Sequence, residues 1–323
     1  MSTVSDGLYQ YGGVPVGGLF MPGKVFFVRP GTGSDSNSGK TPAKALKTVS
    51  QAHTLMTANS NDVAYLIAES NTASATTDYY TATLTWSKDL THLVGMGVPT
   101  MVSQRSRIAQ TSTATGVSPL VDVTADGCIF KNFQVFHGVA DATSLIAVRV
   151  TGDRNYFERI HFAGIGDATM SAAGATSLAI VGGDENVFKD SVIGLDTITQ
   201  DADGVNLIMD TGASRNMFDD CLFQSYISAT GASHVSIADS TAIDRWLWFR
   251  RCLFMSKSTN KTVDMAEVFQ IPAGISQGAI VLQDCTTMND GGAPVWTAGT
   301  EGIVWANMPA AATSAAGGFM TNL

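Results

Sequence analysis

A short pattern recurs through the second half of the chain and restricts the possible folds more than any other feature. It consists of an apolar residue, two polar residues and three further residues. It occupies residues 130–135, 157–162, 188–193, 218–223 and 249–254, with a weaker copy at 282–287, and the copies begin 27 to 33 residues apart. A unit of this size with short strands cannot bury its own apolar face, so successive units must stack on one another.

Strand-like segments lie between these copies, at residues 144–150, 177–181, 205–209 and 234–238. Each unit therefore contains at least two short strands and a turn. Stacking such units places like side chains on one another in ladders. The predicted ladders are Phe130, Phe157, Phe188, Phe218 and Phe249, then Cys221, Cys252 and Cys285, and finally Asn155, Asn186 and Asn216.

The three asparagines stand two residues before their phenylalanines, where we expect them to take the left-handed backbone that a tight corner needs. The polar pair after each phenylalanine is expected at a solvent-facing corner. These features predict an all-β protein, a right-handed parallel β-helix. A propeller is excluded because its blades need about 40–50 residues and four strands each. Leucine-rich repeats need a regular leucine spacing that is absent here.

Three parts follow one another along the chain. Residues 1–24 form an apolar N-terminal arm that Gly and Pro interrupt. Its candidate partner-binding residues are Tyr9, Tyr11, Val14, Leu19 and Phe20. The β-helix domain spans residues 25–305, and an Ala/Gly-rich tail spans 306–323.

Near the start of this domain, Thr41 and Pro42 have the residue types of a helix cap and first helical position. We predict an α-helix at about 42–57 that covers the open strand edge of the first coil. Strands are predicted at 63–68 and 92–96, but their register with the repeat is undetermined.

Charge and cysteine content bear on the partners and the compartment. The chain has 28 acidic and 19 basic residues, a net charge of −9. Because such a surface repels phosphate backbones, we expect no nucleic-acid partner. Apolar runs long enough to span a membrane are absent, as is a recognisable export signal. We therefore expect synthesis in a reducing cytoplasm, with all four cysteines as free thiols.

Two motifs imitate ligand-binding loops without meeting their requirements. Residues 33–41 resemble a phosphate loop, but five residues separate Gly33 from Gly39 where the motif has four. The same segment begins like a calcium loop, yet Lys40 stands where glycine is required and no Glu follows at the twelfth position. The histidines and cysteines lack the short spacings of metal ligands. We expect no metal and no cofactor.

Asp219 and Asp220 are the strongest candidates for catalysis, because paired carboxylates drive glycoside hydrolysis. The other copies of the repeat carry mixed polar or charged residues at these two positions. The positions therefore favour solubility, and no residue is assigned a catalytic role. A set of arginines is expected to form a salt-bridged face: Arg154, Arg159, Arg215, Arg245, Arg250 and Arg251. Of Trp246 and Trp248, one is expected to face inward and the other outward, toward a subunit contact.

The N-terminal segment of the domain carries a family resemblance. Val25–Val28, the Gly-Ser-Asp-rich loop at 31–39, Thr41-Pro42 and the Leu-Lys-Thr-Val at 46–49 resemble the start of proteins of the pectate-lyase-like β-helix superfamily. Together with the Tyr-Gln-Tyr-Gly-Gly leader at 9–13 and the repeats, the whole chain resembles a virion protein of tailed bacteriophages.

This resemblance implies a non-enzymatic protein on the capsid surface that decorates or cements the head. Its implied partners are the major capsid protein and sister subunits, the latter in a homotrimer. The alternative is a tailspike-like protein that binds or depolymerises bacterial polysaccharide.

Overall fold

The computed structural model describes residues 10–11, 14–15, 23–201, 204–259, 265–275, 278–290, 294–297 and 303–306. The chain winds as a right-handed parallel β-helix whose strands form three sheets, called A, B and C and defined by their strands below. Each regular coil contributes one strand to each sheet, first to C, then to A and then to B. All strand pairs within these sheets are parallel, for example Phe157 beside Phe188 and Leu178 beside Leu207. The predicted fold class is confirmed.

The strands are short and alternate between core and outer face. Sheet A contains Val25–Val28, Asp62–Ile67, Thr91–Met96, Ile129–Lys131, Tyr156–Glu158, Val187–Lys189, Asn216–Asp219, Trp246–Arg250, Ala279–Gln283 and Val304–Ala306. Sheet B contains Thr77–Tyr80, Arg107–Gln110, Gln134–Phe136, His161–Ala163, Val192–Ile193, Leu222–Ile227, Leu253–Ser258 and Thr286–Asn289, with Thr199–Gln200 beside Leu222–Ile227. Sheet C contains Leu84–Trp86, Val121–Val123, Ile146–Val150, Thr176–Val181, Val205–Asp210, Ser233–Ile237 and Glu267–Gln270.

A phenylalanine column fills the core behind sheet A. Successive coils align Phe130, Phe157, Phe188, Phe218 and Phe249 in register. Neighbouring ring centroids are 4.6–5.1 Å apart and the ring planes differ by at most 13°. The column continues to Leu93 on one side and Leu282 on the other. Stacked aromatic side chains bury a large apolar area at each step, which explains why the same residue type recurs.

The asparagine ladder is a buried hydrogen-bond chain, and the left-handed conformation expected for it was wrong. Asn186 Oδ1 accepts the backbone N–H of Asn155 at 2.8 Å, and Asn216 Oδ1 accepts that of Asn186 at 3.0 Å. Each side-chain amide also donates to a carbonyl of the preceding coil. The positive φ belongs to the residue before each asparagine, namely Arg154, Glu185 and Arg215. The asparagines are selected because each side chain satisfies a buried N–H and a buried carbonyl of the preceding coil at once.

A second corner follows the phenylalanine column and leads from sheet A into sheet B. The second residue of each polar pair takes a left-handed conformation there, with φ between 49° and 62°. These residues are Asn132, Arg159, Asp190, Asp220, Arg251 and Asp284. The six-residue repeat therefore spans two strands and the tight corner between them.

Helix α1 comprises Val49–Leu55, and only a short 3-10 helix, Pro42–Lys44, precedes it. The single helix predicted over 42–57 is thus in two pieces. Between them, Leu46 bridges to Val28 of sheet A, and Asp35 accepts hydrogen bonds from the backbone of Lys47 and Thr48. These long-range contacts hold residues 45–48 extended, and the cap of α1 is Thr48, which accepts from the N–H of Gln51.

Helix α1 packs against the first strands of sheets A and C at the N-terminal end of the solenoid. Its first turn donates backbone N–H groups to Asp78 Oδ2 and Tyr80 Oη. At its C-terminal end, Lys88 Nζ donates to three backbone carbonyls at 2.7 Å. An anion at the helix start and a cation at its end both complement the helix dipole. Within the described residues, no helix has the length and apolar character needed to cross a membrane.

The predicted strands in the irregular region join sheet A. Asp62–Ile67 lies beside Thr91–Met96, with Val63 opposite His92. In the arm, Gln10–Tyr11 and Val14–Pro15 form a short antiparallel pair, although no strand was predicted there. Val304–Ala306 is the last strand of sheet A, and residues 307–323 of the tail lie outside the described residues.

Candidate functional site

The Asp219–Asp220 pair is neutralised by arginines of the next coil. The register of sheet A places Asp219 beside Arg250. Arg250 Nε and Nη2 contact the two Asp219 carboxylate oxygens at 2.8 and 2.6 Å, and Arg251 reaches both aspartates at 2.7 Å. These hydrogen bonds lower the pKa of both carboxyl groups. A general acid for glycoside hydrolysis needs the opposite shift, so this pair is unsuited to that role.

The three ladder cysteines form a buried column one corner beyond the phenylalanines. Each Sγ lies 3.4 Å from the backbone oxygen of a column phenylalanine in the preceding coil, for example Cys252 Sγ and Phe218 O. Burial raises the pKa of the Cys252 thiol well above its usual value. Inert thiols of this kind act as small apolar side chains. Among the described residues, no group of three or more His, Cys, Asp or Glu side chains fits a metal ion.

Five of the six predicted arginines form ion pairs along sheet A, whereas the inclusion of Arg159 was wrong, since it has no ion pair among those found in the described residues. Arg154 and Arg215 both bind Glu185, with N–O distances of 2.7 and 2.9 Å. Arg245 lies 3.5 Å from the carboxylate of Asp244. Together with the Arg250 and Arg251 contacts, these pairs run from coil to coil along the outer face of the sheet.

Trp246 and Trp248 both face outward, so the prediction of one inward tryptophan was wrong. Residues two apart on a strand share a face, and Leu247 between them is the buried one. The two indole rings meet edge to face with centroids 6.0 Å apart. Trp248 belongs to a column of outward, half-buried apolar residues that the sequence analysis missed. This column, called here the outer apolar column, comprises Ile129, Tyr156, Val187, Met217, Trp248 and Val281.

An exposed apolar loop follows the third strand of sheet A, and the sequence analysis also missed it. The exposed fractions are 43% for Met96, 76% for Val98, 59% for Met101 and 41% for Val102. Several large apolar side chains exposed within seven residues are unusual for a protein surface. We call residues 96–102 the methionine loop. The run Gly-Met-Gly-Val-Pro-Thr-Met-Val at 95–102 was the available signal, since its apolar residues have no strand or helix period.

Hydrogen bonds from neighbouring coils hold both ends of the methionine loop. Asn132 Nδ2 donates to the carbonyl oxygens of Gly95 and Gly97 at 2.9 and 3.1 Å. Beyond the loop, the N–H of Ser103 donates to His161 Nδ1, and Gln104 Nε2 donates to the carbonyl oxygen of Arg159. The apolar side chains are therefore presented from a fixed backbone.

Basic side chains border the methionine loop. Arg105 Nη1 donates to the carbonyl oxygen of Ser103, and the Arg107 guanidinium lies 5.6 Å from the ring centroid of Phe136. Arg159 accepts the Gln104 hydrogen bond through its backbone. The ion pairs found among the described residues include none of Arg105, Arg107 or Arg159. The surface around the loop is thus both apolar and basic.

The predicted partner-binding residues lie almost entirely outside the described part of the chain. Tyr9, Leu19 and Phe20 are outside it, and only the backbone of Tyr11 and Val14 is described, where the two residues pair across the short hairpin. Their role in partner binding stays a prediction.

Comparisons with known proteins support the fold. No protein-family model and no curated protein matches the chain. Similar solved structures include a pectin methylesterase in complex with hexasaccharide VII, with a TM-score of 0.53 and 14% identity over 92% of each chain. Pectate lyase Pel9A has a TM-score of 0.50 and 13% identity over 92% of this chain and 83% of that one.

A viral protein, ORF18 of Geobacillus virus E2, is also similar, with a TM-score of 0.44 and 11% identity. The alignment covers 81% of this chain and 52% of the viral one, so the chain spans about half of that protein. At these identities the likeness concerns the fold alone.

Proposed function

We propose that this chain is a non-enzymatic structural protein of a tailed-phage virion that decorates or cements the capsid. Its sites of contact with the major capsid protein are the N-terminal arm and the methionine loop. The protein is made in the host cytoplasm and comes to lie on the capsid surface. It acts by binding: contacts with the assembled lattice lower the free energy of the shell and slow the loss of its subunits.

The methionine loop is the observation that carries this proposal. Val98 and Met101 are more than half exposed, yet hydrogen bonds from Asn132 and Gln104 fix the backbone on either side. A rigid apolar surface loses little conformational freedom on binding, so it is well suited to a lasting contact. The surrounding arginines favour a partner surface with acidic groups at its rim.

The state of the carboxylate pair supports a non-enzymatic role. Asp219 and Asp220 are each held by arginine, and their lowered pKa values keep them ionised. Neither carboxyl group has a proton to donate near neutral pH. The pair instead joins two neighbouring coils on the outer face of sheet A through its salt bridges with arginines of the next coil.

Incorporation into heads tests the proposal. A chain lacking residues 2–22 and a Val98→Asp, Met101→Asp double variant should each occupy the capsid at a level reduced by about 10-fold or more, because a charge in an apolar contact costs several kcal/mol. Met288→Asp is the matched control, since Met288 is 57% exposed at the far end of sheet B. Full occupancy by both test variants, measured by quantitative gel analysis of purified particles, would dismiss the proposal.

A tailspike-like protein that binds polysaccharide is the second candidate. The outward aromatic side chains Tyr156, Trp246 and Trp248 favour it, because aromatic faces are apolar platforms with polar edges. Incubation with a panel of capsule and O-antigen glycans distinguishes the two candidates. Binding or release of reducing ends, together with labelling on the tail rather than the head, would replace the capsid proposal.

A further inference from the structure

The outer face of sheet A combines an apolar centre with charged borders. The outer apolar column runs along its middle, and its residues are half-buried in the isolated chain. The long side chains of Lys131 and Arg250 lie beside it, 5.9 and 5.5 Å from the ring centroids of Tyr156 and Trp248. An apolar centre with a polar rim is the usual anatomy of a protein interface.

The charges on the two borders alternate in sign from coil to coil. The border toward sheet B reads Lys131, Glu158, Lys189, Asp219 and Arg250. The border toward sheet C reads Arg154, Glu185 and Arg215. In three successive coils, the charges on the two borders have opposite signs, and in the coil that follows, Arg245 lies beside the border toward sheet C and is paired with Asp244. The three coils contain Arg154 with Glu158, Glu185 with Lys189, and Arg215 with Asp219.

We propose that this face binds the same face of a second copy, in a parallel dimer with its two-fold axis along the solenoid. Such a rotation places each border opposite the other border of the same coil. Glu158 then faces Arg154 of the second copy, and Lys189 faces Glu185. Asp219 faces Arg215, so every one of these contacts joins opposite charges.

The register of this dimer is not adjustable, which makes the match informative. A two-fold axis along the solenoid allows no shift between copies, so coil meets identical coil. In an antiparallel dimer the two-fold axis runs along the strands and can lie level with any coil or midway between two coils. Half of these positions would bring opposite charges together by chance. A partner of uniform charge would meet as many like charges as opposite ones. A second copy has the same coil spacing and the same alternation, which explains the pattern best.

The size of the face is sufficient for a dimer. Six coils spaced about 4.8 Å apart and five residue positions of about 3.3 Å give roughly 29 by 17 Å, or about 500 Å² per copy. The two copies together bury about 1,000 Å², at the lower limit for a specific interface. We expect a dimer at protein concentrations of about 100 μM. This two-fold contact takes the place of the trimer that the family resemblance implies.

Solution mass is the first measurement, made by sedimentation equilibrium on the full chain. The expected mass is twice that of the 33.9 kDa chain. Val187→Asp brings two carboxylates together across the axis and should raise the dissociation constant at least about 30-fold. Ile208→Asp is the matched control, a half-buried outward apolar residue on sheet C, and should leave the dimer intact. A monomer or a trimer of the wild-type chain would overturn the proposal, as would a dimer insensitive to Val187→Asp.

A mixing experiment tests the proposed orientation, with circular dichroism of each variant alone showing that it has kept the fold. Glu185→Lys alone sets two lysines against each other, the introduced one and Lys189 of the second copy. Lys189→Glu alone sets two glutamates together, so each variant should dissociate. Mixed in equal amounts, the two variants should form a heterodimer, because both contacts again join opposite charges. Failure to restore the dimer by mixing would overturn the parallel arrangement, since an antiparallel pairing leaves half of these contacts repulsive.

Discussion

The two halves of the solenoid fill the same core position in different ways. From Phe130 to Phe249 the position holds five stacked phenylalanines, whereas the three N-terminal coils of sheet A place Phe26, Ala64 and Leu93 there. In the N-terminal coils, residues from outside sheet A complete the packing. The same apolar cluster takes in side chains of helix α1 and the indole of Trp86, which lies edge-on to Phe130 at 5.5 Å.

The hydrogen-bond ladder shows the same contrast. Asp62 stands two residues before Ala64, at the position of the asparagines, and its Oδ1 accepts the N–H of Lys24 at 2.6 Å. Its second oxygen accepts the N–H of Thr57, a contact absent from the regular coils. In these coils a side chain therefore accepts an N–H of the preceding coil in both halves, whereas its residue type depends on the neighbouring elements. A repeat is visible in sequence only where those neighbours are identical.

Acid should have the largest effect, and it should act on both halves. All five histidines are buried, and burial lowers their pKa values to about 4 or, for His234, about 3. A depressed pKa means that the folded chain keeps these histidines neutral. Their contribution is complete above the unfolded value of about 6.5 and is lost as the pH falls toward 4, by roughly 1.4 kcal/mol per pH unit for each histidine.

Asp78 opposes this trend, because burial raises its pKa to about 6 and its proton stabilises the folded state between about pH 6 and 4. Between about pH 6 and 5 the net expected slope is that of about four protons, five from the histidines less one from Asp78. Urea unfolding measured at pH 7, 6 and 5 gives the slope directly. His53→Gln, in the N-terminal half, should reduce it by one proton, and a free energy of unfolding that is constant from pH 7 to 5 would contradict the prediction.

Phe188→Ala should destabilise the regular coils by about 4 kcal/mol, because it leaves a cavity between two stacked rings. The ring of Phe188 lies 4.6 Å from those of both Phe157 and Phe218. Leu93→Ala, in the same column of the N-terminal half, should cost about 3 kcal/mol. Urea unfolding followed by circular dichroism measures both. Equal losses would show that the stacked rings add nothing beyond ordinary burial.

Asn186→Asp should cost about 3 kcal/mol, since it places a buried charge against a carbonyl oxygen. The Asn186 side-chain amide donates to the backbone oxygen of Gly152 at 3.1 Å. Asp62→Asn is the reciprocal change and should cost about 1–2 kcal/mol, because only the Thr57 hydrogen bond is lost. Chemical denaturation measures the loss of unfolding free energy for each variant. Equal losses would show that an amide and a carboxylate are interchangeable at this position in the two halves.

Lys88→Met should destabilise helix α1 by about 2 kcal/mol through the loss of its three carbonyl contacts. The effect should be confined to the N-terminal half. Hydrogen exchange of the amides in 49–56 reports it, with amides of Val187–Lys189 as the internal reference. Lys44→Met, at an exposed position, is the control. Equal acceleration in both regions would show that the halves unfold together.

Asp190→Gly should have the smallest effect, a gain of about 0.5 kcal/mol, because Asp190 has a left-handed backbone at φ 49° that glycine adopts without strain. Asp210→Gly, at the end of a sheet C strand, should instead cost about 0.5 kcal/mol. Thermal unfolding of the two variants should therefore shift in opposite directions, and shifts of the same sign would contradict the corner assignment.

The sequence predicted those parts of the fold that repeat. The spacing of Phe157, Phe188 and Phe218 indicates the coil length because each coil selects its side chain for the same contacts. The break between Pro42–Lys44 and α1 was not predictable in this way, since it depends on Leu46 meeting Val28 and on Asp35 accepting from Lys47 and Thr48. Such contacts leave no local pattern.

The candidate contact surfaces were less predictable than the core. The methionine loop follows no period, because its side chains face solvent and nothing in the described part of the chain buries them. The inward placement of one tryptophan was an avoidable error, since the strand period already sets Trp246 and Trp248 on one face. The charge alternation on sheet A was hidden because successive members of each border lie 27 to 31 residues apart in sequence and come together only through the register of the coils.

The charged column from Lys131 to Arg250 limits how many whole coils can be deleted from or inserted into such a chain. For the interior, one coil is a complete module: removing residues 187–216 would leave Phe218 to stack on Phe157, with the asparagine still two positions before it. On the outer face of sheet A, the same deletion would place Asp219 next to Glu158, so that two negative charges would lie on adjacent coils. The interior can therefore be shortened or extended by single turns, whereas the exterior tolerates only even numbers of them.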